Sequence, residues 1–233
     1  LWELDGAGPT AVAERLDMPN STAYDYLRSL AETKYVTARD GEYSLTSRFY
    51  TIAGKMKYRN RLFQIAKPEM QRFAAETGEL VGLTVEMDGQ ALILHQEEGG
   101  QALRLGTYPG AVIPMHTQAA GKAILANLPP ERVADIVEDD DLVRMTDHTV
   151  TDPEALEEEL ARVREDGYVV DWDQQVVGMG MAAVPMLIED RVFSSIGVVA
   201  PTERLKNEQY QGQLLQKLQE LANTITVNYR YGN

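Results

Sequence analysis

The chain of 233 residues has no cysteine, which excludes disulfides, thiolate catalysis and cysteine-ligated zinc. Histidine is nearly as scarce: His95, His116 and His148 are the three present, and no two share a metal-binding spacing. His95-Gln-Glu97 and Asp147-His148 are the arrangements that suggest an acid–base pair, although single histidines are more often structural. No Gly-X-Ser-X-Gly elbow, phosphate loop or dinucleotide fingerprint occurs, and Gly178-Met-Gly180 alone is too weak to stand for one. An enzyme is therefore the weaker competing class, and neither cofactor nor metal is expected. No apolar run approaches the ~18 residues of a membrane span, and no signal-peptide pattern precedes Leu1. A cytoplasmic protein without membrane partners is expected. The start at Leu1-Trp2 without methionine suggests a trimmed N-terminus with most of a first helix missing.

Positive charge is short as well. The 36 Asp and Glu outweigh 22 Lys and Arg, for a net charge of −14. Only seven of the cations are lysine against fifteen arginine, a balance that would suit a high-salt cytoplasm. The deficit is not uniform. Residues 1–60 hold eight cations and eight anions, so the remaining 14 cations against 28 anions carry the whole excess. An acidic chain repels nucleic acid unless its basic residues are segregated, and here they are.

That neutral stretch has an order with a specific meaning. A helix from Thr10 to Leu16 meets a break at Asp17-Met18-Pro19, and a second helix begins at Asn20-Ser21. Pro19 cannot continue a helix and biases Met18 away from helical angles. Thr10 and Ser21 are candidate caps, and the amides after Ser21 could meet a phosphate. Ala11, Val12 and Leu16 form an apolar stripe on the first helix. In the second, Ala23, Tyr26, Leu27 and Leu30 recur at helical spacing and are expected to be buried. Ser21, Thr22, Tyr24, Asp25, Arg28 and Ser29 remain as candidate groove-facing residues. Asp40-Gly41 then closes a hairpin between Tyr35 and Tyr43. Helix, turn, helix and two strands is the order of a winged helix-turn-helix, in which Arg39 of the wing can reach phosphate or the minor groove. Asp25 opposes phosphate binding; it can accept from a cytosine amino group or pair with Arg28. The plainer alternative is an ordinary helix pair with a hairpin.

Residues 48–62 read as a linker helix, with Lys55, Lys57, Arg59 and Arg61 able to lie over a phosphate backbone or to join a dimer contact. A further helix is expected from Lys67 to Glu76, with Pro68 in its first turn. Beyond it the pattern mixes strands and helices. Strands are expected at Leu80–Met87 and Ala91–Gln96 around Asp88-Gly89, then at Ala102–Leu105 and Val112–Pro114. Helices follow at His116–Ala126 and Pro129–Val137, with Glu138–Asp141 a solvated loop. Another runs from the Thr151-Asp152-Pro153-Glu154 start to Gly167. Strands at Tyr168–Trp172, Met181–Ile188 and Val192–Val199 precede a last helix from Glu203 to Asn228. The fold class expected is α+β, an antiparallel sheet flanked by helices.

The motifs together resemble one family. Pro19-Asn-Ser-Thr-Ala-Tyr24 with Leu27 and Leu30 leads to Gly41-Glu-Tyr-Ser-Leu45. Then come Pro114-Met-His-Thr-Gln-Ala-Ala-Gly-Lys-Ala-Ile-Leu-Ala126, Gly167-Tyr168, Gly178 and Ala182-Ala-Val-Pro185. The chain resembles regulators of the IclR family over essentially its whole length. The resemblance implies a winged helix-turn-helix DNA-binding domain over 1–47, the linker helix over 48–62, and a GAF-like mixed α/β effector domain over 63–233. It implies operator DNA and an organic-acid effector as partners, in a dimer or dimer of dimers. By position, the effector pocket would lie near Leu105, Ile113, Ala119, Ala120, Asp171, Met179, Met181, Gly197 and Val199. The open amides of Ala119 and Ala120 suit an anion. Departures are Asp173-Gln174 after Asp171, Gly197 and Val199 where some relatives carry hydroxyls, and Asp25 where a basic residue is frequent. With Met179 and Met181 adding adaptable apolar volume, the effector is expected to be bulkier or less polar than a short keto acid. A ligand-sensing interaction module without DNA binding is the alternative that Asp25 favours.

Overall fold

The computed structural model describes residues 1–139 and 142–232, so Asp140 and Asp141 of the acidic run lie outside the described residues. The chain divides into two compact units, Leu1–Asn60 and Arg61–Asn233.

The first unit runs α1 (Pro9–Arg15), α2 (Asn20–Glu32), β1 (Val36–Arg39), β2 (Glu42–Leu45) and α3 (Arg48–Arg59). Asp40 and Gly41 take φ values of 49° and 85°, the left-handed pair that a tight two-residue hairpin requires, with Arg39 opposite Glu42 in register. Both helix caps differ from expectation. Gly8 is the residue before α1 and Pro9 its first position, because the fixed φ of proline is pre-set for that place. Thr10 therefore does not cap; its Oγ1 accepts from Asn20 Nδ2 at 3.0 Å. Likewise α2 begins at Asn20 directly after Pro19, with no side-chain cap from Ser21.

The core of this unit is small: Leu27, Val36 and Tyr43, with Ala13 and Ala23 also buried. Tyr26 and Leu30, expected inside, are 60% and 40% exposed. Two turns of α1 and a two-stranded sheet cover only a narrow stripe of α2. Ala11 and Leu16 are left exposed for the same reason. The helical run expected over 48–62 is interrupted at Asn60, whose backbone is extended.

In the second unit α4 spans Arg61–Thr77, starting earlier than expected because Leu62, Phe63 and Ala66 are all buried; Pro68 falls inside it, not in its first turn. The sheet is formed by β3 (Leu80–Met87), β4 (Gln90–Glu98), β5 (Val112–Pro114), β6 (Val169–Trp172), β7 (Met179–Ile188) and β8 (Arg191–Pro201). Its order is β5-β4-β3-β8-β7-β6, with every pairing antiparallel. The α+β class expected from the pattern is what forms. Residues 102–105 are not a strand. They cross as irregular chain whose Leu103 and Leu105 pack on the core below.

The helices are α5 (Ala119–Leu125), α6 (Pro130–Asp139), α7 (Pro153–Asp166), α8 (Thr202–Leu205) and α9 (Glu208–Tyr231). A tight turn at Met115–Thr117 precedes α5, and Asn207 caps α9 anew, so the single helices expected there are each split. Successive strand residues point to opposite faces, and the sheet separates two cores accordingly. Val81, Leu83, Ala182, Val184, Ile196 and Val198 pack with α4 and α9. Leu80, Met181, Ala183 and Val199 face the other way, toward α5 and α7.

Candidate functional site

Two places carry chemistry. The first is the outer face of α2. Ser21, Tyr24, Asp25, Arg28 and Ser29 are exposed and Thr22 is half-buried, so all six share an accessible surface. A shallow cleft runs beside them, between Thr10 at the head of α1 and Asn20 at the head of α2. Arg39 is exposed at the wing. Arg28 does not pair with Asp25: its Nε lies 3.5 Å from Glu32 Oε1 one turn further on, leaving Asp25 free of that contact.

The second place is a cavity of about 30 Å³ under the α5 face of the sheet. Of the residues expected there, Leu105, Ile113, Met179, Met181 and Val199 line it. Gly197 does not reach it, because Met181 lies across the glycine: a methyl group built on Gly197 would sit 2.3 Å from Met181 Cε. Ala119 and Ala120 are fully buried in helix packing. Ser195 Oγ donates to the Ala120 carbonyl at 2.8 Å and ties α5 to β8.

Asp171 stands apart from the cavity and belongs to a buried charge cluster. Lys122, wholly inaccessible, has its Nζ 2.9 Å from Glu159 Oε2 and 3.1 Å from Gln174 Oε1. It lies 3.2 Å from Asp171 Oδ2, an ion pair without hydrogen-bond alignment. Burial pushes the Asp171 carboxyl above its ordinary range, with Glu159 adding to the rise; Lys122 and the Ala119 N–H oppose it.

The sequence pattern missed part of the lining. Gly82 and Thr84 alternate with Leu80 on β3, and Gln118 and Gln175 complete the polar side with Gln96 and Thr107. A glycine within a strand was an available signal, since it often marks close approach of another group. Gly82 and Gly197 are direct cross-strand partners; Gly82 lines the cavity, while Gly197 is covered by Met181. Gln118 is 4% exposed, and its Nε2 has no hydrogen-bond partner among the described residues.

Two of the three histidines, His95 and His116, are held in structure. His95 Nε2 lies 2.8 Å from Glu97 Oε1 and its ring meets Phe63 edge-on; His116 Nε2 contacts the Val143 carbonyl at 3.0 Å. Among the described residues no three His, Asp or Glu cluster as a metal site, and no helix is long and apolar enough to cross a membrane.

Comparison with known proteins gives the arrangement its context. The family model "Bacterial transcriptional regulator IclR C-terminal" matches residues 55–227, and "IclR helix-turn-helix domain" matches residues 3–40. The chain is 28% identical over 221 residues to "Probable HTH-type transcriptional regulator ArcR" of Halobacterium salinarum, covering 91% of this chain and 82% of that protein. It is 30% identical over 202 residues to the HTH-type transcriptional regulator BhcR of Paracoccus denitrificans, covering 85% and 72%. A crystal structure of an IclR homologue from Microbacterium hydrocarbonoxydans complexed with 4-hydroxybenzoate superposes with a TM-score of 0.78 at 26% identity, covering 97% of this chain and 92% of that one. With a model of the family matched over most of its length and a helix-turn-helix ahead of it, the chain belongs to the IclR family of transcriptional regulators.

Proposed function

We propose that this regulator binds double-stranded operator DNA through α2 and the wing, as a homo-oligomer, and that a small organic molecule seated between β3, β7 and β8 controls its operator affinity. Ser21, Thr22, Tyr24 and Arg28 position or read the duplex, Ser29 and Asp25 flank them, and Arg39 reaches phosphate or the minor groove. An organic acid is the effector class; the 4-hydroxybenzoate bound by one homologue supports that choice. Binding shifts the population between DNA-competent and incompetent arrangements of two recognition helices.

One observation carries the DNA side of this reading. The polar face of α2 is open on the stretch of chain where charge is balanced, while the net −14 lies beyond it. A duplex meets no excess of anions there. A second reading, a sensing module that no longer binds DNA, draws support from Asp25 and from Glu32 occupying Arg28. Fluorescence anisotropy with duplex from the region upstream of the chain's own gene separates the two. Operator binding predicts a steep fall in affinity with salt. It also predicts that Arg28→Ala weakens binding by about 1–3 kcal/mol. A flat salt response with unchanged affinity for the Arg28→Ala variant leaves only the sensing module.

A further inference from the structure

The cavity is too small for any organic effector as it stands. At about 30 Å³ it has room for roughly two waters, whereas a ring such as benzene occupies a void of about 150 Å³. A side chain has to move. Met181 is unbranched and flexible, and its methyl end lies over a glycine, so it can swing without opening the backbone. On the opposite side of the floor, a methyl group built on Gly82 would have no neighbour within 4 Å. The space is therefore open at Gly82 and filled at Gly197.

The polar side is equally one-sided. Among the described residues no lysine, arginine or histidine lines the cavity, and the nearby buried cation, Lys122, is committed to Glu159, Asp171 and Gln174. Gln96 and Thr107 bond each other. Gln118 alone presents a buried donor with no partner among the described residues. Burying an amide N–H without an acceptor is costly and uncommon, which marks the position as one where an acceptor is supplied from outside the chain.

We propose that Gln118 and Met181 set effector selectivity in this regulator: Gln118 Nε2 donates to one carbonyl-type oxygen of the ligand, and the ligand's compact apolar body takes the volume that Met181 vacates over Gly197. This rests on the reading that the cavity is the effector site. The shared chemistry is an acceptor oxygen on an apolar body. A carboxylate and a neutral carbonyl both supply it.

Benzoate and benzamide serve as probes, titrated calorimetrically into the full-length protein with thermal melting in parallel. Met181→Ala is expected to bind one of them about tenfold tighter than the unaltered chain. Adding Gln118→Leu is expected to remove about tenfold of that affinity, the scale of one lost hydrogen bond. Gly82→Val, which puts a side chain into open space on a strand, is expected to melt cooperatively and bind neither probe. Gln118→Leu alone is expected to raise the melting temperature, since it deletes an unpaired buried donor; a merely structural glutamine would do the reverse. Preference for benzamide assigns a neutral carbonyl, and preference for benzoate a carboxylate; both support the assignment. A Met181→Ala protein that gains affinity for neither probe, or whose affinity survives Gln118→Leu, overturns it. So does a Gln118→Leu protein that melts below the unaltered chain. These titrations contain no DNA, so their failure leaves operator binding standing, while probe binding that leaves operator affinity unchanged counts against effector control alone.

Discussion

Replacing Lys122 by methionine removes one charge from a cluster in which the Lys122–Asp171 ion pair is sealed from solvent on both sides. The side chains of Lys122 and Asp171 are each 1% exposed, and the Nζ lies 3.2 Å from Oδ2. Methionine fills the volume of the lysine stem but leaves the Asp171 carboxylate buried with the Glu159 charge as neighbour and no cation. Breaking a buried pair from one side costs about 3–5 kcal/mol, while removing both charges together is often close to neutral. At about 2–4 °C per kcal/mol for a unit of roughly this size, Lys122→Met should lower the melting temperature by about 6–20 °C. The double variant Lys122→Met/Asp171→Asn should recover at least half of that. The deficit should also shrink as pH falls, because protonation spares Asp171 the burial of a charge. Thermal and urea unfolding followed by circular dichroism measure all three. A single variant within about 1 kcal/mol of the unaltered chain, or a double variant no better than the single, would refute the cluster's assigned energetics.

The other expectations follow from equally local features. A methyl group on Gly121 would lie 2.0 Å from the Met115 carbonyl oxygen, so Gly121→Ala should destabilise the second unit by about 1–3 kcal/mol or more; an unchanged melt would disprove the close approach. Asp152 Oδ1 accepts from the Ala155 N–H at 2.9 Å at the start of α7, and Asp152→Ala should cost about 0.5–2 kcal/mol by urea titration. Burial keeps the Asp171 proton bound in the folded chain to higher pH than its ordinary value of 3.8. Stability from that group is fully present below 3.8 and is lost as pH rises through the folded-state value. Asp171→Asn should flatten this falling slope, and parallel slopes in the two proteins would contradict it.

Local signals were legible where a residue's own conformation decides the outcome. Asp40-Gly41, Asp88-Gly89 and Glu189-Asp190 all take the positive φ values of tight hairpin turns, as their types suggest. Asp152 and Gly167 bound α7 as cap and left-handed stop. Burial was less legible, because it depends on what arrives from elsewhere in the chain. Tyr26 and Leu30 fit the helical spacing of Ala23 and Leu27, yet no neighbouring element reaches them in a unit of 60 residues. Nothing in the type of Lys122 marks it for burial, and its glutamine partner lies 52 positions away. Gly82 and Gly197 come to face each other only through the register of β3 on β8, which periodicity along either strand cannot supply. Gln118 follows the same rule: it directly precedes the alanine-rich start of α5, whose packing, not its own type, strands its amide in the interior.

The sheet of the second unit is long at its centre and brief at its margins. Strands of 10 and 11 residues lie inside, while the outermost two have three and four. Unpaired backbone groups along a sheet margin are the template on which another chain can extend the ladder, and abbreviated outer strands blunt it. Accretion of a foreign strand therefore finds few places to register. What this unit offers to another chain is therefore side-chain surface in place of an open ladder.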